Sequence, residues 1–234
     1  MFTMSSGEQP LVRSYLFLRK GVGILGVALP FVLIIGKIIL ESPGISGSIS
    51  AYYYSVMRDV FVGSLWAIGV FLICYRYEFW DNFLSTVAGI CAIGVSLLPT
   101  TPDVGATQRQ SAIGLAHTSF ATGFLLILAL MAILLFRRTD QENPMRRKQQ
   151  RNTVYLICGI AILACVVLAA LLLLVPNLPV TPWLRPLHPI FWLEAVSIFA
   201  FGVAWFVKGE TLGILKDEER GVVTSKNRET IPTR

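Results

Sequence analysis

Charge is scarce in this sequence. Asp, Glu, Lys and Arg together make up 15% of the 234 residues, against about 25% in soluble domains. With 54% hydrophobic residues, that shortage excludes an ordinary soluble globule. Histidine is scarcer still: His117 and His188 are the whole supply, too few for the three-histidine zinc centre of ceramidase-type or adiponectin-receptor-type membrane hydrolases. No G-x-S-x-G, no G-x-x-x-x-G-K-[ST] phosphate loop and no H-E-x-x-H occurs, so the common local signatures of hydrolases and nucleotide enzymes are missing. There is no Asn-x-Ser/Thr glycosylation acceptor. Cys74, Cys91, Cys158 and Cys165 all fall inside apolar runs without thiolate-metal spacing, and they read as small hydrophobes. The N-terminal "MFTMSSGEQPLVRSYLFLRK" is polar for too long to be a cleaved secretory signal.

What the chain does have is long apolar runs. Six approach the roughly 20 residues that a helix needs to cross a bilayer, at about 20–40, 58–76, 83–100, 113–136, 154–175 and 189–207. Helices are expected because each run then satisfies its own backbone hydrogen bonds, and no run alternates as a barrel strand does. The expected fold class is all-α: a polytopic six-helix transmembrane bundle over 20–207, with a cytoplasmic N-terminal segment at 1–19 and a disordered polar tail at 208–234. Pro99 and Pro102 close the third run, and Pro30 should kink the first. The many glycines inside the runs read as places where helix backbones approach closely. Tyr75, Trp80, Trp183, Trp192 and Trp205 fall near the expected interfaces, as aromatic anchors do, and Trp66 falls mid-span, where packing between helices is expected.

Lysine and arginine give the orientation. Sixteen of them lie in the N-terminal segment, the turn after the second run, the 137–153 loop and the tail, against Arg58, Arg109 and Arg185 on the opposite side, with Lys37 inside the first run. That bias places both termini in the cytoplasm, in a multi-pass protein of the cell membrane. The same distribution, short basic segments beside apolar runs, argues against nucleic acid as a partner. The run "RRKQQR" has a plain reading as a topology signal and a sharper one, in which Arg146, Arg147, Lys148 and Arg151 hold anionic lipid headgroups. Membrane lipids are the partners expected.

Ionisable residues that enter the runs are the candidates for function. Lys37, Asp59, His117, His188 and Glu194 all fall within about 10 Å of the outer boundary at a 1.5 Å rise per residue, and none is expected in the cytoplasmic half. A charge at the bilayer centre costs about 2.5–3.5 kcal/mol on insertion scales. Glu194, short and preceded by "IFWL", should therefore be protonated, paired or facing a hydrated cavity, with Lys37 as a partner if the first and last helices are neighbours. Each bland reading stands beside its sharp one. Asp59 suits a helix start, His117 suits an interhelical hydrogen bond, and His188 suits a proline-rich loop. The second, fourth and sixth runs each open on an ionisable residue followed by phenylalanine, which suggests three helical hairpins bringing polar groups to one level. The loop "SISAYYYS" adds Ser50 and Tyr53, and its three consecutive phenols cannot all face lipid because helical neighbours point about 100° apart.

The stretches "SISAYYYSVMRDVFVGSLWAIGVFLICYRYEFWDN", "AGICAIGVSLLPT" and "IGLAHTSFATGFLLILALMAILLFRR" resemble a family of uncharacterised bacterial six-span membrane proteins, which is itself distantly similar to the DRAM-type family. Ser48 and Ser50, Tyr75–Arg76–Tyr77 with Asn82, and His117 carry the resemblance. It implies a six-helix fold and a role in lipid or membrane homeostasis, and transfers no activity.

The reading that follows is an outward-facing polar pocket that binds a lipid headgroup or small polar ligand. Glu194, Asp59 and His117 form its core, Lys37 and Arg58 are charge partners, and Ser50, Tyr53 and His188 stand around it. One alternative is a lipid-modifying membrane enzyme using the same cluster, with His117 moving protons and a carboxylate orienting it. Another is a proton-coupled transporter, disfavoured by the lack of a polar relay in the cytoplasmic half. No cofactor is expected: two histidines with Asp59 or Glu194 have no recognisable zinc spacing, and a bis-histidine haem has as little behind it.

Overall fold

The computed structural model describes residues 8–76, 78–102, 104–138, 146–175 and 181–209, with the backbone alone at 8–16, 18, 181, 182 and 185. Among the described residues every regular element is helical. The long helices are α1 (Glu8–Leu40), α2 (Arg58–Ile73), α3 (Phe79–Leu97), α4 (Gln108–Leu130) and α5 (Arg146–Leu174). A single turn, α6 (Thr181–Leu184), precedes α7 (Pro189–Lys208). A 3-10 turn at Ser50–Tyr54 lies between α1 and α2, and a wide π turn at Met131–Leu135 continues α4.

Five of these helices, α1, α3, α4 with its π turn, α5 and α7, are long and apolar enough to cross a membrane. The sequence leads one to expect six. The difference is α2, whose 16 residues rise about 24 Å, short of the about 30 Å of a hydrocarbon core. Other boundaries shift outward. Helix α4 starts at Gln108 because Thr107 caps it: the Thr107 hydroxyl accepts from the Gln110 amide at 3.2 Å, and the Gln110 side chain accepts from the Thr107 amide at 2.9 Å. Helix α5 starts at Arg146, so the "RRKQQR" segment expected in a loop is helical. The expected tail beyond Lys208, apart from Gly209, lies outside the described residues, as do residues 1–7 and Tyr77.

The six long helices form a closed ring in which α1 packs on α2 and α7, α2 on α3, α3 on α4, α4 on α5, and α5 on α7. Glycine makes two of these seams close. A Cβ on Gly202 would sit 2.6 Å from the Val27 nitrogen, and one on Gly89 would sit 2.5 Å from the Gly69 carbonyl oxygen. In lipid, where apolar surface alone does not drive helices together, such contacts supply the packing.

Two buried clusters fill the ring. At the end carrying Arg19, Arg151 and Lys208, Tyr75, Phe136, Tyr155, Phe201 and Trp205 pack together. At the opposite end, Leu33, Ile49, Tyr52, Phe61 and Phe191 do so. Phe124, Leu128, Ile162 and Phe201, all buried, extend the first cluster through the middle. Trp205 and Tyr75 are therefore core residues, 2% and 3% exposed, not the interfacial anchors expected. Trp80, Trp183 and Trp192 are exposed, and so is Trp66, which the sequence leads one to place between helices. The reason is phase: Leu65, Ile68, Gly69 and Leu72 form the inward face of α2, and Trp66 falls off it.

Candidate functional site

The 3-10 turn at Ser50–Tyr54 sits at the end of the ring opposite the basic residues, and two carboxylates pin it and the segment that follows it. Glu194 reaches across from α7. Its Oε2 accepts hydrogen bonds from the backbone amides of Ile49 at 2.6 Å and Ser50 at 3.2 Å. These are the amides at the open start of the turn, so a carboxylate from a distant helix does the work of a cap. Glu41 similarly accepts from the Val56 amide at 3.0 Å.

The three tyrosines divide their tasks, as their angular spacing requires. Tyr52 is fully buried against Phe191 with ring centroids 6.2 Å apart, and burial pushes its phenol above the ordinary value of 10. Tyr53 lies under the Arg58 guanidinium, 4.4 Å from it, and accepts a hydrogen bond from Arg58 Nη2 at 2.8 Å. Tyr54 donates to the Thr100 carbonyl oxygen at 2.7 Å, which ties the turn to the α3–α4 loop.

Behind the turn, between α4, α5 and α7, lies a cavity of about 590 Å³. Its polar lining comprises Ser48 just before the turn and Ser50 within it, Thr100 and Thr101 from the α3–α4 loop, His117, Thr118 and Thr122 from α4, and Glu194 and Ser197 from α7. Leu125, Val166, Leu173, Leu174 and Leu193 supply an apolar wall. His117 is 2% exposed, and the Leu98 carbonyl oxygen at the end of α3 accepts from its Nδ1 at 2.7 Å. In the neutral ring that bond leaves the lone pair on Nε2, and Nε2 is buried with no hydrogen-bond partner among the described residues.

Of the eight residues singled out from the sequence, the cavity brings together Glu194, His117 and Ser50. The other five lie elsewhere. Helices α1 and α7 are neighbours, yet Lys37 does not pair with Glu194. Its Nζ lies 3.7 Å from Glu41 Oε1, one turn along its own helix, and 3.5 Å from Ser42 Oγ. Arg58 and Tyr53 pair with each other. Asp59 is exposed in the first turn of α2, where its charge suits the helix dipole. His188 sits before α7 with left-handed backbone, φ 50°, and does not line the cavity. The carboxylate expected to orient His117 is replaced by the Leu98 carbonyl. Among the described residues, no three of His, Cys, Asp and Glu are grouped to hold a metal ion.

Sequence reasoning missed Thr118, Thr122 and Ser197, which look like ordinary helix residues until three helices bring them to one cavity. It also missed buried charge at the opposite end. Arg19, Asp81 and Arg151 are 8%, 3% and 7% exposed there, where no intramembrane ionisable residue is expected. Arg19 donates to the Tyr75 hydroxyl at 3.0 Å and to the Lys208 carbonyl oxygen at 3.3 Å. Of the four basic residues read as a lipid-headgroup surface, Arg146 is exposed, Arg147 and Lys148 are half-buried, and Arg151 is turned into the bundle.

Comparison with family models, with curated proteins and with solved structures returns no match.

Proposed function

We propose that this chain is a six-span protein of the cell membrane, with both termini cytoplasmic, that binds an amphiphile in the cavity at its outer end and serves membrane lipid homeostasis. The observation that carries this reading is the lining of the cavity: Glu194, His117 and Ser50 face one space with an apolar wall of leucines and a valine. A volume of about 590 Å³ falls within the roughly 300–1,000 Å³ of ligand pockets. Ser48, Ser50 and His117, on which the resemblance to the bacterial six-span family partly rests, all line it. The lysine and arginine bias puts this end outside, and α2 completes the sixth crossing by local thinning of the bilayer around a short helix. Transport is the weaker reading, because Phe124, Leu128, Ile162 and Phe201 fill the path between the two polar ends.

Native mass spectrometry of the chain released from mild detergent tests the reading. The expected result is a discrete bound lipid or small-molecule mass on the wild type that is lost in Ala170→Trp, which fills the cavity. A bare protein mass in the wild type, or the same adduct on both proteins, would refute it.

A further inference from the structure

The polar groups around the cavity are unequal in kind, and the inequality selects a ligand. Glu194 Oε2 is taken up by two backbone amides and the Ser50 hydroxyl also bonds the carboxyl group, which still leaves a lone-pair direction of the carboxyl group for one further donor. Among the described residues no cation pairs with Glu194 and none of the lining is lysine or arginine. His117 Nε2, an acceptor in the neutral ring, is buried without a donor among the described residues. Two of the hydroxyls have their hydrogens committed to their own helix: Thr118 donates to the Gly114 carbonyl at 3.0 Å and Ser197 to the Leu193 carbonyl at 2.8 Å. Towards the cavity these hydroxyls offer lone pairs. Among the described residues, these groups present acceptors to the cavity together with one carboxyl group that has no cation beside it. A phosphate brought there would meet acceptors and a carboxyl group, whereas an ammonium group would supply donors and the countercharge that lets the carboxyl group ionise.

Resting on the cavity reading above, we infer that the ligand is an amphiphile headed by a primary ammonium group, held between the Glu194 carboxyl group and the His117 and hydroxyl acceptors, and that headgroups bearing phosphate alone are excluded.

The test titrates the full chain in a non-ionic detergent at neutral pH with tetradecylamine, tetradecyltrimethylammonium and tetradecyl phosphate. These probes share one chain length, so the apolar part of their partition into the micelle is common to them, and bound fractions are referred to the micellar concentration of each. Ethanolamine is a fourth arm, without the chain. Bound fractions are read by native mass spectrometry on wild type, Glu194→Gln and Ala170→Trp. The amide introduced by Glu194→Gln keeps an oxygen for the Ile49 and Ser50 amides, so the turn stays anchored. Wild type should prefer the primary amine over the phosphate by about tenfold or more, the worth of one charge-assisted hydrogen bond, and Glu194→Gln should collapse that preference. Equal or tighter binding of the phosphate overturns the headgroup assignment while leaving the cavity standing, provided that Ala170→Trp still blocks it. Trimethylammonium binding as tightly as the amine overturns the role of donated hydrogens, and this arm needs no variant to fold. Ethanolamine binding as tightly as tetradecylamine overturns the amphiphile and leaves a soluble amine. Failure of all four probes, or binding that Ala170→Trp does not change, brings down the cavity reading as well.

Discussion

Removing the Glu194 carboxylate should loosen a loop 144 or 145 residues away in sequence. In Glu194→Ala the amides of Ile49 and Ser50 lose their acceptor. Both residues are buried, at 1% and 7% exposure, so water cannot replace the lost oxygen without opening the turn. A hydrogen bond to a charged group contributes about 1.5–3 kcal/mol, the 3.2 Å contact less than the 2.6 Å one. Against this, the variant removes a charge from an apolar setting, which returns part of the gain. A net loss of about 2–3 kcal/mol corresponds to about 30- to 150-fold more frequent local opening. Hydrogen–deuterium exchange of the chain in detergent micelles reads this directly in peptides covering 48–54, with peptides from α2 as the internal reference. Glu194→Gln, which keeps one acceptor oxygen, should stay within about threefold of wild type. Unchanged exchange at 48–54 in the alanine variant would refute the capping role and with it the account of how the cavity is walled on that side.

Two further outcomes follow from packing. Gly202→Ala places a methyl group 2.6 Å from the Val27 nitrogen and should lower stability by about 1–3 kcal/mol, whereas Gly63→Ala, with nothing within 4 Å, should be neutral or stabilising by up to about 1 kcal/mol; thermal unfolding in one detergent compares them, and equal effects would contradict the seam. In single-tryptophan variants reconstituted with brominated lipid, Trp66 and Trp80 should be quenched and Trp205 spared, because the first two are 39% and 56% exposed and the last 2%; equal quenching of Trp205 would contradict its place in the core.

Helix identity was legible because apolar composition and length decide it. Proline and glycine marked the third helix's end and the close seams. Glu194 was legible as the residue that needed an explanation, since a short carboxylate behind "IFWL" cannot snorkel. Its partners were not. Depth along a helix can be counted from the sequence, but the angle around it against a neighbour cannot. Lys37 and Glu194 are at matching depth on adjacent helices, yet Lys37 finds a carboxylate at i+4 on its own helix first. The backbone amides that hold Glu194 carry no residue-type signal at all. The same holds for His117, oriented by a carbonyl. Buried charge at the basic end was hidden for a different reason: Arg19, Asp81 and Arg151 lie near span ends, where charge is unremarkable until the fold turns it inward.

The π turn at Met131–Leu135 closes with the Phe136 amide donating to the Met131 carbonyl oxygen at 2.9 Å, five residues back. A turn of that kind admits one residue more than a regular helix would, and each residue is worth about 100° of rotation. The two ends of this helix are therefore phased independently. Upstream, His117, Thr118 and Thr122 are set by what the cavity requires; downstream, Phe136 is set by Trp205, 5.1 Å away between ring centroids, and by Tyr155 at 5.5 Å. Deleting a single residue from this turn would leave hydropathy and composition nearly untouched. It would nonetheless swing one end against the other, so chain length at 131–135, more than the identity of any side chain there, sets the angular register between the polar cavity and the aromatic base.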